Sequence, residues 1–342
     1  MNSKERVIAA LERKQPDRIP VFEWIIAKNV IQEIIGSDDL LSLVETLDLD
    51  GINYRADYKK KFINEKIYFD EWGSKKQLSP DGLDTIIEHP LQDLSKHKRF
   101  HFPDPYASGR FESIEKAVER FGNSRAIVLT VRDVFSDIRD LIGFENTLVA
   151  LLKQQDLYSE LLDRLIEYNL TLAEIANKKY GIEIIATSDD YATAQSLIFS
   201  PELFKDFLGP AYRKLVREFK RIGFHYIKHT DGNIMDIIEY LVESGIDCLD
   251  PIDPNAGMNI ADVKKKYGKK ICIKGNIDNT STLSNGTKEQ VEKEVRMRIS
   301  QAGQGGGYIL SSSNTIHSGV KPENFIHMVE TVKKYGKYPL EE

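Results

Sequence analysis

Short apolar and β-branched runs, each closing on polar residues, recur along the chain with amphipathic stretches between them. The first four are RIPVFEW (18–24), GINYRAD (51–57), AIVLTVRD (126–133) and GIEIIATSDD (181–190). HYIKHTDG (225–232), GIDCLDPID (245–253), KICIKGNID (270–278) and GYILSSSN (307–314) complete the series. About eight such strands, alternating with helices, is the count of a closed (β/α)8 TIM barrel.

The intervening stretches carry helical starts and stops. In SPELFKDFLGPAYRKLVREFKRIG, Ser200 is the predicted N-cap, Pro201 takes the first helical position and Gly223 ends the helix. In TKEQVEKEVRMRISQAG, Thr287 and Gln290 have the spacing of a capping box. The opening MNSKERVIAALERK predicts an amphipathic N-terminal helix. Residues from about 58 to 125 alternate only weakly and carry turn signals at Gly73, Pro80, Gly82 and Pro90. They predict a β-hairpin and loop excursion over the carboxyl face, where lids and pocket walls are built. With no internal repeat, low-complexity linker or break in composition, residues 1–342 are expected to form a single domain.

Composition narrows the class. With 342 residues, 41% hydrophobic and 29% charged, the chain has the balance of a globular protein, and its net charge of -6 gives no field to attract nucleic acid or an anionic membrane. No apolar stretch approaches the roughly 20 residues that span a bilayer, and the start lacks a signal-peptide core, so the expected location is the cytoplasm. Two cysteines, Cys248 and Cys272, are too few for a disulfide framework. Both fall inside predicted strands, where a cysteine is usually a small buried apolar residue.

The candidate chemistry sits at the strand ends. Glu23, Arg55, Asp57, Arg132, Asp189, Asp190, His229, Asp231, Asp250, Asp253, Lys274, Asn276, Asp278 and Asn314 all lie at or just after a predicted carboxyl end. In a barrel these positions ring one mouth, where catalytic groups collect. His229 and Asp231 are two apart on an extended segment and so share a side. Imidazole and carboxylate suit either zinc or acid–base work. A third metal ligand would come from Asp189, Asp190, His317 or Asp278, among which the sequence does not choose. Of the adjacent Asp189 and Asp190, one is expected to face the pocket while the other fixes a loop. Lys274 is expected either to hold a substrate carboxylate or phosphate or to pair with neighbouring acids. The glycines at 305–307 precede a strand instead of opening a helix, which makes them a tight turn and not a phosphate loop.

Several stretches, taken in order, resemble the uroporphyrinogen decarboxylase superfamily, which includes porphyrinogen decarboxylases and methyltransferases that serve corrinoid proteins. They are KERVIAALERKQPDRIPVFEW, FDEWG, SDDYATAQSLIFSPELFKDFLGPAYRKL, KHTDGNIMDIIEYLVESGID, KGNIDNTSTLSNGTKEQVEKEV and GGGYILSSSNTIHSGVKPENF. The likeness covers nearly the whole chain. True uroporphyrinogen decarboxylases carry a Gln-Ala-Gly-Arg-Tyr signature after the first strand, whose arginine helps hold substrate carboxylates, whereas EWIIAKN stands here. The corrinoid methyltransferase branch binds zinc through a His-x-Cys pair and a later cysteine. Here Asp231 stands in place of the first cysteine and SSSNTIHSG supplies no second.

A carboxylate-bearing site is harder and more Lewis-acidic than a thiolate one. The resemblance with these departures implies a methyltransferase moving a methyl group from a small O- or N-methylated substrate to a corrinoid protein. His229, Asp231 and Asp190 would be catalytic, and Asp189, Lys274, Asn276, Arg55 and Arg132 would bind substrate. Zinc would sit on His229, Asp231 and His317, and the corrinoid would come from a partner protein. The rival expectations are a decarboxylase of a porphyrinogen-type or smaller acid, with no cofactor, and a non-catalytic binding barrel. Barrels of this kind often pair, so a homodimer is expected, with nothing in the sequence to locate its interface.

Overall fold

A computed structural model describes residues 1–79, 81 and 83–340; the turn signals Pro80 and Gly82 lie outside the described residues. The strands, in chain order, are β1 (Gly51–Tyr54), β2 (Lys61–Phe62), β3 (Ile67–Phe69), β4 (Lys75–Gln77), β5 (Thr85–Glu88) and β6 (Ala126–Val131). Then come β7 (Ile184–Ser188), β8 (His225–His229), β9 (Cys248–Asp250), β10 (Cys272–Ile277) and β11 (Tyr308–Ser312). Strands β1, β6, β7, β8, β9, β10 and β11 pair in that order, all parallel, into one curled sheet of a (β/α)8-type barrel.

The sheet therefore has seven regular strands where eight runs are predicted. Residues 18–24 take the eighth place without becoming a strand. Leu310 N donates to the Pro20 carbonyl at 2.9 Å and Asp50 N to the Val21 carbonyl at 2.8 Å, which bridges β11 to the start of β1. The segment cannot return a ladder, because Pro20 has no N–H and the Val21 amide is taken by the Asp50 carboxylate at 2.8 Å.

The parallel registers stack side chains in rows. Ala186, Ile227, Cys248 and Cys272 pair across β7 to β10 and belong to the apolar cluster inside the barrel. Two residues further on, Ser188, His229 and Asp250 share the next row, with Lys274 following Asp250 across β10. Because alternate residues of a strand face the same side, the polar row rests on the apolar one. From the amino end, Val7, Ala10 and Leu11 of the helix Ser3–Leu11 join the apolar cluster and close it. The Asn2 side chain caps that helix in a full capping box.

The predicted caps form. Ser200 Oγ accepts from Leu203 N at 3.1 Å, and Thr287 and Gln290 make the reciprocal pair that opens Lys288–Arg298. The excursion is an antiparallel sheet, β2-β3-β4-β5, larger than a single hairpin. Its second half also departs from a loop, with a 3₁₀ turn at Leu94–Arg99 and an α-helix at Glu112–Phe121. Gly306 lies at φ +85°, and a Cβ there would stand 2.4 Å from the Lys14 carbonyl, so 305–307 is a turn pressed against backbone. Among the described residues no helix is long and apolar enough to cross a membrane.

Candidate active site

A cavity of about 900 Å³ opens at the carboxyl ends of the strands and reaches up to the excursion sheet. Glu23, Trp24, Arg55, Arg132, Asp190, His229, Asp231 and Asn314, from six places around the ring, line it. His229 ends β8, its side chain 12% exposed. Its Nδ1 donates to Asp250 Oδ2 at 2.5 Å, and Trp24 Nε1 donates to the same oxygen at 2.5 Å. Lys274 Nζ donates to Asp250 Oδ1 at 3.0 Å and to Ser311 Oγ at 2.9 Å. Asp250 is thereby fully engaged, and it orients the imidazole with Nε2 towards the cavity.

On that side Nε2 meets Asp231 Oδ1 at 3.5 Å and Asp190 Oδ1 at 3.9 Å. The Asp231 amide donates to Asp190 Oδ1 at 3.1 Å, and Asn314 Nδ2 donates to Asp231 Oδ2 at 2.6 Å. The turn that aims Asp231 depends on Gly232, at φ +83°, where a Cβ would stand 2.5 Å from the Thr193 carbonyl.

The charges follow from this packing. Burial works against a charged His229, but the carboxylates of Asp231, Asp250 and Asp190 outweigh it and push its pKa up to about 9. Burial pushes Asp231 up to about 7, with repulsion from Asp190, Asp250 and Asp253 adding and the imidazolium opposing. Asp190 is also opposed by burial, yet His229, the Asp231 amide and Arg132 hold it below the ordinary range. Burial raises Glu23 to about 7 against the pull of Lys274 and of Ser312, whose amide and hydroxyl donate to it at 2.8 and 2.7 Å.

These residues also fit a metal ion. One donor atom each from Asp190, His229 and Asp231 lies within 4.8 Å of the others, and Asp231 Oδ1 is buried without a partner. That is a nitrogen and two oxygens, a set that suits zinc or a similar divalent cation. No thiolate is available, since Cys248 and Cys272, the chain's two cysteines, are buried in the apolar row below.

Other predicted site residues lie elsewhere. Asp189 turns out of the barrel, where its carboxylate accepts from the Phe135 and Ser136 amides at 2.8 Å each and burial raises its pKa well above normal. Lys274 is fully buried beneath Trp24 and holds Asp250, so it does not face a substrate. Asn276 is buried and donates to the Ile252 carbonyl at 2.6 Å. His317 is bound up with Ser284 at 3.3 Å and the Gly319 amide at 3.1 Å, and it does not join the metal-capable group. Asp253 and Asp278 cap turns, while Asp57 lines the cavity but is held by the Ser113 amide and hydroxyl. Arg139 and Trp24, which strand ends alone did not single out, both reach the cavity. The signal for Arg139 was its place in the short helix Ser136–Ile142, directly after β6.

A cavity ringed by ionisable groups at the carboxyl mouth of a parallel barrel defines a barrel of the enzyme type. The family model for uroporphyrinogen decarboxylase (URO-D) matches residues 68–335, and the chain belongs to that family. It is similar to the methylcobamide:CoM methyltransferase MtbA of Methanosarcina mazei, 27% identical over 73% of this chain and 71% of the relative. A uroporphyrinogen decarboxylase of Shewanella piezotolerans is 22% identical over 98% of both chains. In fold it matches the solved structure of a methyltransferase from Methanosarcina mazei, with a TM-score of 0.78, 19% identity and coverage of 98% and 99%.

Proposed function

We propose that this chain is a methyltransferase that takes a methyl group from a small O- or N-methylated substrate and delivers it to a corrinoid protein. The observation that carries the reading is the His229 cluster, an imidazolium aimed into a large cavity between Asp190 and Asp231, with no thiolate near it. The likeness to a methylcobamide:CoM methyltransferase supports it. An oxygen and nitrogen donor set suits an oxygen or nitrogen leaving group better than a thiol.

In the reaction the bond from methyl carbon to substrate oxygen or nitrogen breaks, and the carbon is captured by the electron pair of a cobalt(I) corrinoid. The leaving atom keeps its bonding pair and takes the proton of His229 Nε2. Asp250 fixes the ring for that transfer, while Asp190 and Asp231 keep it charged beforehand. When a divalent ion such as zinc is bound on His229, Asp231 and Asp190, its Lewis acidity supplies the charge that the proton supplies otherwise. In this reading the protein works in the cytoplasm as a single domain. Its partners are a small substrate and a corrinoid protein, and a homodimer is the expected assembly.

The alternative, decarboxylation of a porphyrinogen-type or smaller acid, draws on the arginines at the cavity and needs no metal. One assay separates them. Cobalt(I) cobalamin is incubated with the enzyme and a panel of methyl ethers and methylamines, and its spectrum is followed. Conversion to methylcobalamin that His229→Ala abolishes is the expected result, with elemental analysis reporting whether zinc is bound. Release of CO2 from a porphyrinogen, with no donor methylating cobalt, would replace this reading with the decarboxylase.

A further inference from the structure

Three guanidinium groups approach the cavity away from His229. Arg55 and Arg132 directly follow the neighbouring strands β1 and β6, and Arg139 projects from the helix Ser136–Ile142. Arg132 donates to the Ser188 carbonyl, and one acid serves two of the three. Asp140 is shared, at 3.7 Å from Arg132 and 3.2 Å from Arg139. Asp137 accepts from Asn169 at 2.9 Å, and Asp190 is committed to His229. Arg55 makes no hydrogen bond or ion pair among the described residues, although it is next to another cation. Lys60 and Lys76, on the same cavity, are both paired, with Asp84 at 2.7 Å and Asp70 at 2.8 Å.

We infer that Arg55, Arg132 and Arg139 form a subsite for a carboxylate of the substrate, so that the methyl donor is an acid carrying its methyl group on oxygen or nitrogen. This rests on the methyl-transfer reading and narrows it. Arg132 stands beside Arg55 and pushes its pKa down, a repulsion that an incoming anion relieves. Guanidinium forks grip both carboxylate and phosphate. Arg132 and Arg139 already lean on Asp140 and Arg55 alone has no acid, so one negative charge completes the group, which favours a carboxylate over a phosphate dianion. Trp24, Leu40, Val44, Tyr54 and Phe144 give the same cavity apolar surface, and the volume far exceeds a methylamine. An aromatic or longer aliphatic acid fits that division. Asp190 lies 3.9 Å from His229 and lines the same cavity as Arg132.

The test is calorimetric binding of methoxybenzoates and short N-methylated amino acids, each against its neutral amide, with inorganic phosphate as a competitor. Neither cobalt nor metal is needed. Acids are expected to bind about tenfold or more tightly than their amides, and added salt to narrow the gap. Arg55→Ala should erase the preference and Arg55→Lys restore part of it, with circular dichroism and thermal midpoint unchanged because Arg55 supports no other group. Equal binding of every acid and its amide, or a preference that survives Arg55→Ala, overturns the subsite. Phosphate displacing the acids at lower concentration reassigns it. Arg55-dependent acid binding without methyl transfer would leave the subsite standing and remove the methyltransferase reading. Efficient demethylation of neutral ethers that ignores Arg55→Ala would do the reverse.

Discussion

Lys228 and His229 are consecutive residues of β8, and they open into two opposite worlds. Outside the barrel, Lys228 Nζ donates to Asp133 Oδ2 at 2.7 Å and to the Asp189 carbonyl at 2.9 Å. Asp133 also accepts from Thr187 Oγ1 at 2.6 Å and from the Tyr191 hydroxyl. Inside the barrel, Lys274 and Asp250 make a second lysine–aspartate pair, equally buried. The outer network closes on itself, whereas the inner one ends in His229 Nε2 and Asp231 Oδ1, which face a cavity. Burial and shifted ionisation therefore do not by themselves mark a site, because both networks have them. What separates the inner one is a donor and an acceptor left open where a ligand can reach them.

Breaking each network should damage a different property. His229→Gln is expected to lower methyl transfer by about 10²–10⁴-fold, and to move the urea midpoint little at pH 9 and above, where the imidazolium no longer contributes to stability. Lys228→Met should act in the opposite sense. It strands a buried Asp133 and should destabilise the protein by about 3–5 kcal/mol in urea titrations, with ligand binding by the folded fraction unchanged. If Lys228→Met lost activity without losing stability, the division between the two networks would be wrong.

The same division explains what could be read from the sequence. Strand runs were visible because apolar residues end abruptly in polar ones, and the row of Ala186, Ile227, Cys248 and Cys272 lies two residues before Ser188, His229, Asp250 and Lys274. Residues 18–24 read as a strand, because neither the lost donor of Pro20 nor the capture of the Val21 amide by Asp50 shows in hydrophobicity. His229, Asp231 and Asp190 were identifiable as strand-end residues. Which way a polar side chain turns was not, so Asp189 and Lys274 were grouped with them although one faces outward and the other lies beneath Trp24. Trp24 and Asp250 are 226 residues apart, and only the closed ring makes them partners.

A pH series sharpens the contrast further. Glu23 belongs to the inner network, and burial raises its folded pKa to about 7 from an ordinary 4.5. A raised carboxyl pKa means the native state binds the extra proton, so the stability it allows is present below pH 4.5 and lost as pH rises through 7. Relative to wild type, Glu23→Gln should therefore gain on the order of 3 kcal/mol between those limits, measured as the difference between their urea unfolding energies. Asp133, in the outer network, is opposed by burial but held down to about 2 by Lys228 and its other donors. Its contribution is lost only as pH falls through that value, so Asp133 should add no slope between pH 5 and 8.

The smallest expected effect on activity is at Asp250, and it distinguishes orientation from charge. Asp250→Asn keeps the size of the side chain and leaves an acceptor that can still take the His229 Nδ1 proton, but it removes the ion pairs with Lys274 and the imidazolium. Methyl transfer should fall about 10–100-fold, the range for losing the group that orients a catalytic or metal-bound histidine. The His229 pKa should drop below its wild-type value, since Asp250 is among the carboxylates that raise it, and a nitrogen NMR titration reads that directly. The two readouts need not move together. A fallen pKa with activity kept would mean that Asp250 acts by aiming the ring, whereas a fallen pKa with activity restored at lower pH would mean that its charge is what matters. Either result constrains His229 more tightly than its own deletion, which removes both properties at once.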